Sequence, residues 1–514
     1  AAAPFSGPFS PGAAKPSAPK AAAKGKAKAK AKAGAHAPAE GAPPVKAARA
    51  APPAAVPEKI VPLPKEQRAT PTLGASAASS STFERHRTAE WRQYASLYTS
   101  RLRQLRGPVV ANARSVWSGR VAPQGFRSEI SGARQSNVGE IVIVGVLFKE
   151  LKARPNVIQQ YRDNQLKSHL SSRDDPNEIG GLCSDDDSLW LEDASMRVRL
   201  EVVPDLVRHL CSGIVAAALG SATADGDFRV ESLVFARLPP PPTLRARCED
   251  DVEFLALVSG LAAPVTGEPG HAQALERLVD FIAQGAVAGG ARCQVQRLIV
   301  CGGVLCADQL EATGGRPSKE ALSMIDQLLA RLAGATEVHV MPGRSDPTNA
   351  SLPQMKLHPH LFKHARKMGE TGALKSEGNP YRDTVGDLGF SILGHSGQPV
   401  QDLLRCTQHG SPIQALRTCL TAMHLAPTGP DTLPMHPFEA LDPFVIEEVP
   451  HVLFSGGHAR AEHEWSPAPR GADALSGTQL AAVPAFHAHP AVVLVNLRDP
   501  RDVRVQELGV PGGA

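Results

Sequence analysis

"VMPGRSDPTNASLPQMKLHP" (340–359) begins as a buried strand and ends as a polar loop. The apolar run breaks at Pro342-Gly343, and Asp346, Asn349 and His358 follow within a few residues. Open α/β sheets gather their binding and catalytic groups in such strand-end loops. The flanking sequence supplies the rest of a sheet. "VEFLALVSGL" (252–261) and "VQRLIVCGGVL" (295–305) read as strands buried on both faces, with "EVHVMPG" (337–343) as a third. "ALERLVDFIAQGA" (274–286) and "SKEALSMIDQLLARLAG" (318–334) carry helical periodicity between them. Alternation of this kind predicts α/β layering.

Residues 139–238 read differently, as all-β. "EIVIVGVLF" (140–148) is one strand, and "SLWLEDASMRVRLEV" (188–202) gives two around a turn at Glu192-Asp193. "GIVAAALGSATADGDFRVESLVFA" (213–236) holds Asp225-Gly226, a strong hairpin signal. About five strands with a long helical insertion suit an OB-type barrel. Such barrels bind single strands through exposed aromatics. Phe148, Trp190, Phe228 and Phe235 are the candidates here, and their spacing is that of core residues. "PPPP" (239–242) closes the domain as a stiff linker.

Ahead of the barrel, Ser81 and Glu84 form a capping-box pattern, and Trp91, Tyr94, Tyr98, Leu102 and Leu105 recur at helical spacing. Gly107-Pro108 is expected to stop this amphipathic helix, which packs on the next domain. Residues 1–80 are almost all Ala, Pro, Lys, Gly and Ser and cannot bury enough apolar surface to order themselves. They hold ten Lys and two Arg against three Glu, whereas the remainder carries 43 basic and 48 acidic residues. A disordered basic tail over a mildly acidic body follows. Such a tail is a solvated segment, a weak and salt-sensitive nucleic-acid contact, a nuclear address, or an organelle transit peptide. The sequence does not open on Met, so its true start is expected upstream.

With 514 residues, 42% hydrophobic and 21% charged, the chain has room for two or three globular domains. No apolar run approaches the ~20 residues of a membrane helix; the longest, 141–148, suits a strand. Eight cysteines without a C-x-x-C pair argue against a zinc ribbon or a secreted disulfide framework. Free thiols are expected.

The strand-end loops carry the functional question. A two-metal phosphoesterase needs carboxylates, an Asn and several His there, to neutralise two cations around a bridging hydroxide. The first loop offers Ser259-Gly260-Leu261 where Asp-x-His is required. The second offers Cys301-Gly302-Gly303-Val304-Leu305-Cys306 in place of Gly-Asp-x-x-Asp/Glu. The third offers Gly343-Arg344-Ser345-Asp346 in place of Gly-Asn-His-Asp, with an Arg where a cation would sit. Ser259, Leu261, Gly303, Cys306, Arg344 and Ser345 thus stand at degenerate positions. Asp346, His395 and His458 are residual, and His358, His360 and His364 cluster without carboxylate partners. A dinuclear site lacking those anions cannot balance its charge. No catalytic residue, metal or cofactor is expected. Asp346 and Asn349 are expected to cap backbone groups in a tight turn.

The same stretches carry a resemblance. "VMPGRSDPTNASLPQMKLHPHLF" (340–362), "GFSILGHSGQPVQDLLR" (389–405) and "APTGPDTLPMHPFEALDPFVIEEVPHVLFSGG" (426–457) closely resemble the small (B) subunits of DNA polymerase delta, as do "IVIVGVLFKELKARPNVI" (141–158) and "VVLVNLRD" (492–499). The resemblance covers about 140–500. The Asp-Pro-Thr-Asn-x-x-Leu-Pro-Gln run (346–354) points to delta rather than to the related alpha and epsilon subunits. It implies a disordered tail (1–80), an N-terminal amphipathic helix (81–107), an OB-fold domain (108–242) and a calcineurin-like phosphoesterase domain (250–510) that has lost its metals. It further implies a nuclear, non-catalytic scaffold serving DNA replication and repair synthesis. Its partners would be the C-terminal domain of the catalytic subunit and a third, elongated subunit, and through them the sliding clamp and primer–template DNA. Archaeal relatives keep the metal motifs and act as 3′–5′ nucleases, so an active metal-dependent phosphoesterase is the alternative. No adjacent aromatic pair is present to form the usual clamp-binding peptide. Phe438 and Phe444, within 436–454, are candidate partner anchors, with burial in the core as the competing reading.

Overall fold

Five strands, β1 (Ile141–Glu150), β2 (Ser188–Glu192), β3 (Arg197–Glu201), β4 (Val215–Ala222) and β5 (Phe228–Phe235), close into a barrel in the order β1-β2-β3-β5-β4. The computed structural model describes Phe83 and most of 93–509. Residues 1–82, 84–92, 134–138, 155–180, 245–251, 263–268, 306–318, 469–475 and 510–514, with a few shorter gaps, lie outside the description. The tail, the Ser81–Glu84 capping box and Cys306 therefore fall outside it. The described residues all belong to one unit, 59–514. Among them no helix is long and apolar enough to cross a membrane.

The helix before the barrel departs from expectation. α1 (Ala95–Val116) runs straight through Pro108. Proline removes one i→i−4 hydrogen bond and costs about 3 kcal/mol inside a helix. Leu97, Arg101, Leu105, Val109, Ala113 and Trp117 nevertheless form a buried stripe at i, i+4 spacing across it. Each large apolar side chain so buried contributes about 1.5–3 kcal/mol, so packing outweighs the break. Gly107, lacking a Cβ, also relieves the clash that proline imposes on its predecessor. The helix belongs with the barrel rather than ending before it. α1 and the barrel interior cover β1 on both faces, which is why its sequence reads as an unbroken apolar run. Of the long helical insertion expected with the barrel, the described residues hold only α2 (Pro204–His209).

Beyond the barrel lie α3 (Pro269–Gln284), α4 (Lys319–Ala335), α5 (Ala365–Glu370), α6 (Gln398–Cys406) and α7 (Pro412–Ala422). The strands are β6 (Val252–Val258), β7 (Ala286–Ala288), β8 (Ala291–Cys301), β9 (Glu337–Met341), β10 (Leu374–Ser376), β11 (Tyr381–Val385), β12 (Phe390–His395), β13 (Val452–His458), β14 (Glu462–Pro467), β15 (Gly477–Pro484), β16 (Ala491–Asn496) and β17 (Val503–Glu507). One sheet has the order β10-β9-β8-β6-β16-β17, with β7 paired to β8; the other has the order β11-β12-β13-β15-β14. The pleat explains their stacking. Leu255 and Leu257 of β6 face Ile392 and Phe454 of the second sheet, while Phe254, Ala256 and Val258 face Leu278 of α3 and Leu329 of α4. A strand covered on both sides needs an apolar residue at every position.

Buried polar groups fasten the layers. Arg297 on β8 donates to Glu337 on β9 (3.0 Å) and to Asp383 on β11 (2.8 Å), joining the two sheets. The barrel docks on the second sheet's outer helices: Lys149 donates to the Cys406 carbonyl at 2.9 Å and Ser212 to Asp431 at 3.0 Å. One apolar cluster runs from α1 through the barrel to Leu393, Leu416 and Leu480. Phe228 lies inside the barrel, fully buried, whereas Phe148 and Trp190 pair across β1 and β2 half-buried, with the Arg197 guanidinium over the Phe148 ring at 4.1 Å. The spacing that reads as core therefore holds for Phe228 and not for that pair.

Candidate functional site

Loops after β6, β8 and β9 meet those after β12 and β13 at the ends of their strands. The second strand stops at Cys301, four residues earlier than its apolar run suggests, because Gly302 and Gly303 take left-handed φ values of 81° and 68°. A Cβ on Gly302 would sit 2.5 Å from the Ser396 Cβ and 2.7 Å from the Gly343 Cα. One on Gly343 would sit 2.4 Å from the Gly303 nitrogen, and one on Gly456 2.4 Å from the Cys301 carbonyl oxygen. The loops thus close backbone on backbone, where a two-metal centre needs an open cleft.

Asp346 locks this closure. Its Oδ2 accepts hydrogen bonds from the amides of Gly343 (2.7 Å), Gly303 (3.0 Å) and Val304 (3.2 Å), and its Oδ1 accepts from Leu305 (2.9 Å). The carboxylate that could have held a metal is saturated by amides of two loops. Burial raises its pKa, and the four amides oppose that shift. Asn349 accepts from the Met355 amide (2.8 Å) and donates to the carbonyls of Pro353 (3.1 Å) and Ser351. Both residues cap backbone, as their turn chemistry implied.

Other polar groups are committed in the same way. Ser259 donates to the Cys301 carbonyl at 2.9 Å. Ser345 donates to the Leu305 carbonyl at 3.3 Å, and Arg344 is exposed beside it. Asn379 donates to Gln354 (2.8 Å) and to Ser396 (2.7 Å), forming a buried amide cluster at the loop rim. Leu261 is fully buried. His395 accepts from the Gly397 amide through Nδ1, and its buried Nε2 has no partner among the described residues. His458 meets Ser455 at 2.7 Å. Burial depresses the pKa of His395 to about 3 and of His458 to about 4, so both are neutral near pH 7. Among the described residues no three His, Cys, Asp or Glu side chains are grouped as metal ligands would be. The described residues do not fit a dinuclear metal centre: the Asp346 carboxylate is saturated, and the glycine backbones occupy the space.

The closure is directly testable. Gly302→Ala is expected to cost about 2–3 kcal/mol, combining left-handed strain with overpacking. Gly270→Ala, in α3 with nothing within 4 Å of its Cβ, is expected to be neutral or slightly stabilising. Urea unfolding of both variants checks the pair; equal stabilities would mean that the loops are not closed on one another.

The same sequence patterns recur in known proteins. A model of the DNA polymerase delta subunit OB-fold domain matches residues 93–233. A model of the DNA polymerase alpha/epsilon B subunit matches residues 255–463. DNA polymerase delta subunit 2 of Drosophila melanogaster is 30% identical over 441 residues, 82% of this chain and 94% of that protein. The chain belongs to the DNA polymerase delta small-subunit family. The DNA polymerase delta small subunit of Arabidopsis thaliana is 29% identical over 422 residues, 79% of this chain and 89% of that protein. That of Saccharomyces cerevisiae is 27% identical over 343 residues, 60% and 68% respectively. A purple acid phosphatase from yellow lupin seeds overlaps 57% of each chain at 10% identity and a TM-score of 0.26, too little to assign a fold.

For this small-subunit family member the two candidate anchors separate. Phe444 is fully buried against Phe83, ring centroids 5.8 Å apart, and is a core residue. Phe438 is half-buried and packs on the edge of the same apolar cluster, and Leu441, three residues on, is exposed. The histidines at 358, 360 and 364 are exposed, and, against the expectation that none has a carboxylate partner, the His364 ring meets Asp326 at 2.9 Å, because α4 packs that carboxylate under the segment. Free thiols are found at Cys183, Cys211, Cys301, Cys406 and Cys419.

One highly connected buried group is absent from the residues that sequence patterns single out. Arg101, fully buried, donates Nε to Asp442 (2.8 Å) and its other nitrogens to the carbonyls of Gly213 (3.1 Å), Pro427 (3.0 Å) and Gly429 (2.8 Å). His424 meets the same Asp442 oxygen at 2.9 Å. One guanidinium joins α1, the barrel and the loops after α7. Its signal is present in the chain: an Arg within an otherwise apolar i, i+4 stripe.

Proposed function

We propose that this chain is a non-catalytic assembly subunit of a nuclear DNA polymerase delta complex. Its two-sheet domain is a calcineurin-like phosphoesterase fold that serves as a platform instead of a hydrolase. It links the C-terminal domain of the catalytic subunit to a third subunit during replication and repair synthesis, and reaches the sliding clamp and primer–template DNA through them. The observation that carries the reading is Asp346: a carboxylate accepting four backbone amides has no capacity left to neutralise metal ions. Membership in the small-subunit family supports the assembly role.

The test is co-purification with the catalytic subunit's C-terminal domain, alongside metal content and 3′–5′ nuclease assays with added Mn²⁺ on this chain alone. A stable complex without stoichiometric metal or nuclease activity is expected. Two bound metals with nuclease activity, and no complex, overturn the proposal. Phe438 and Leu441 are the proposed contact points for a partner. Phe438→Ala is expected to stay folded, losing no more than about 1–2 kcal/mol for a half-buried ring, while partner capture weakens at least tenfold. Undiminished capture removes Phe438 from the interface.

A further inference from the structure

The folded body carries more acidic than basic residues overall, yet its segment 358–367, "HPHLFKHARK", is strongly basic. The structure gives this segment a fixed display. Phe362 and Ala365 turn inward to the core between the first sheet and its helices. Lys363, His364, Arg366 and Lys367 consequently face solvent, with His358 and His360 exposed beside them. The backbone is held by Asp326 of α4, itself buried, which accepts hydrogen bonds from the amides of Lys363 (2.9 Å), His364 (2.8 Å) and Ala365 (2.7 Å) and from the His364 ring (2.9 Å). Asp326 is thus occupied by backbone and imidazole, and no ion pair among the described residues involves Lys363, Arg366 or Lys367. Arg366 and Lys367 lie in the first turn of α5 and Lys363 in the turn just before it, so three exposed cations are gathered within five residues.

We propose that this face binds the phosphate backbone of duplex nucleic acid directly and without sequence preference. A row of cations on a rigid backbone replaces condensed counterions along a phosphate strand, and exposed imidazoles add hydrogen-bond donors. A protein partner fits less well. Protein interfaces centre on apolar or aromatic anchors and are depleted in Lys, and here Phe362 and Ala365 point into the core. The inference stands independently of the assembly role.

The experiment uses the full chain, so that the basic tail contributes equally to both proteins compared. Wild type and the triple variant Lys363→Gln, Arg366→Gln, Lys367→Gln are titrated with a short fluorescent DNA duplex over a salt series. Exposed Gln substitutions are expected to leave thermal unfolding unchanged. The slope of log K against log salt should become shallower by about 2–3, close to 0.9 for each lost phosphate contact. An unchanged slope overturns the proposal. So does an unchanged slope accompanied by lost capture of the partner subunits, which would make the face a protein docking surface.

Discussion

Replacing Arg101 by Met is expected to lower the unfolding free energy by about 3–5 kcal/mol, the usual cost of removing one member of a buried ion pair. The Asp442 carboxylate is fully buried, and burial alone would raise its pKa. Arg101 and His424 overcome that and hold it well below the usual carboxylate range. Without the guanidinium a buried anion is left beside one imidazole, and the carbonyls of Gly213, Pro427 and Gly429 lose their donor. Met fills similar volume, so the loss reports charge and hydrogen bonds more than a cavity. The double variant Arg101→Met, Asp442→Asn should recover part of the loss, because it removes the orphaned charge. Urea unfolding of the two single variants and the double variant closes the cycle. A single-variant loss under about 1 kcal/mol, or no recovery in the double, would show that the network does not join helix, barrel and sheets.

Mild acid is expected to destabilise this protein strongly. His395, His424 and His458 are buried, and desolvation lowers their pKa values to about 3, 4 and 4, with Arg101 adding to the effect at His424. In the unfolded chain each titrates near 6.5. A folded value below the unfolded one means that protons bind the unfolded state preferentially. Stability is therefore complete above about pH 6.5 and falls as pH drops towards 4. By linkage each histidine costs about 2 kcal/mol between pH 7 and pH 5, or on the order of 5 kcal/mol for the three. Burial also lowers the pKa of His339, in the same direction. Asp442 and Glu337, held low in the folded state, lose their contribution only below the ordinary carboxylate range. Urea unfolding between pH 7.5 and pH 5 should show uptake of about three protons on unfolding near pH 5. Stability independent of pH across that window would sink this prediction and the neutral, buried state of these imidazoles.

The parts of the chain that are legible from residue order share one property: their signals are local. Apolar runs bounded by Gly and Pro locate β6, β8 and β9, and Asp225-Gly226 locates the β4–β5 turn, because strand burial and turn geometry are written in neighbouring residues. That 259–261 and 301–306 hold no carboxylate is visible for the same reason. Even the capping roles of Asp346 and Asn349 follow from side-chain chemistry near their own backbone, although the amides of Gly303, Val304 and Leu305 come from a distant loop.

Distant partners govern the rest. Gly107-Pro108 is a valid local stop, yet α1 continues because the barrel and the loops after α7 bury its stripe on both sides of the break. Arg101 is legible as an oddity in that stripe, but its acceptors lie 112 to 341 residues away. Phe438 and Phe444 look alike in sequence, and tertiary packing separates them: Phe444 is fully buried among Phe83, His424 and the apolar cluster, while Phe438 lies at its edge. Residue order is enough to place the barrel strands and β6, β8 and β9 with the helices between them, whereas the second sheet, β11 to β15, is decided by the folded chain. Closure of the glycine loops on one another belongs to the folded chain alone, since it arises from backbone approach between segments far apart in the chain, which no local pattern encodes.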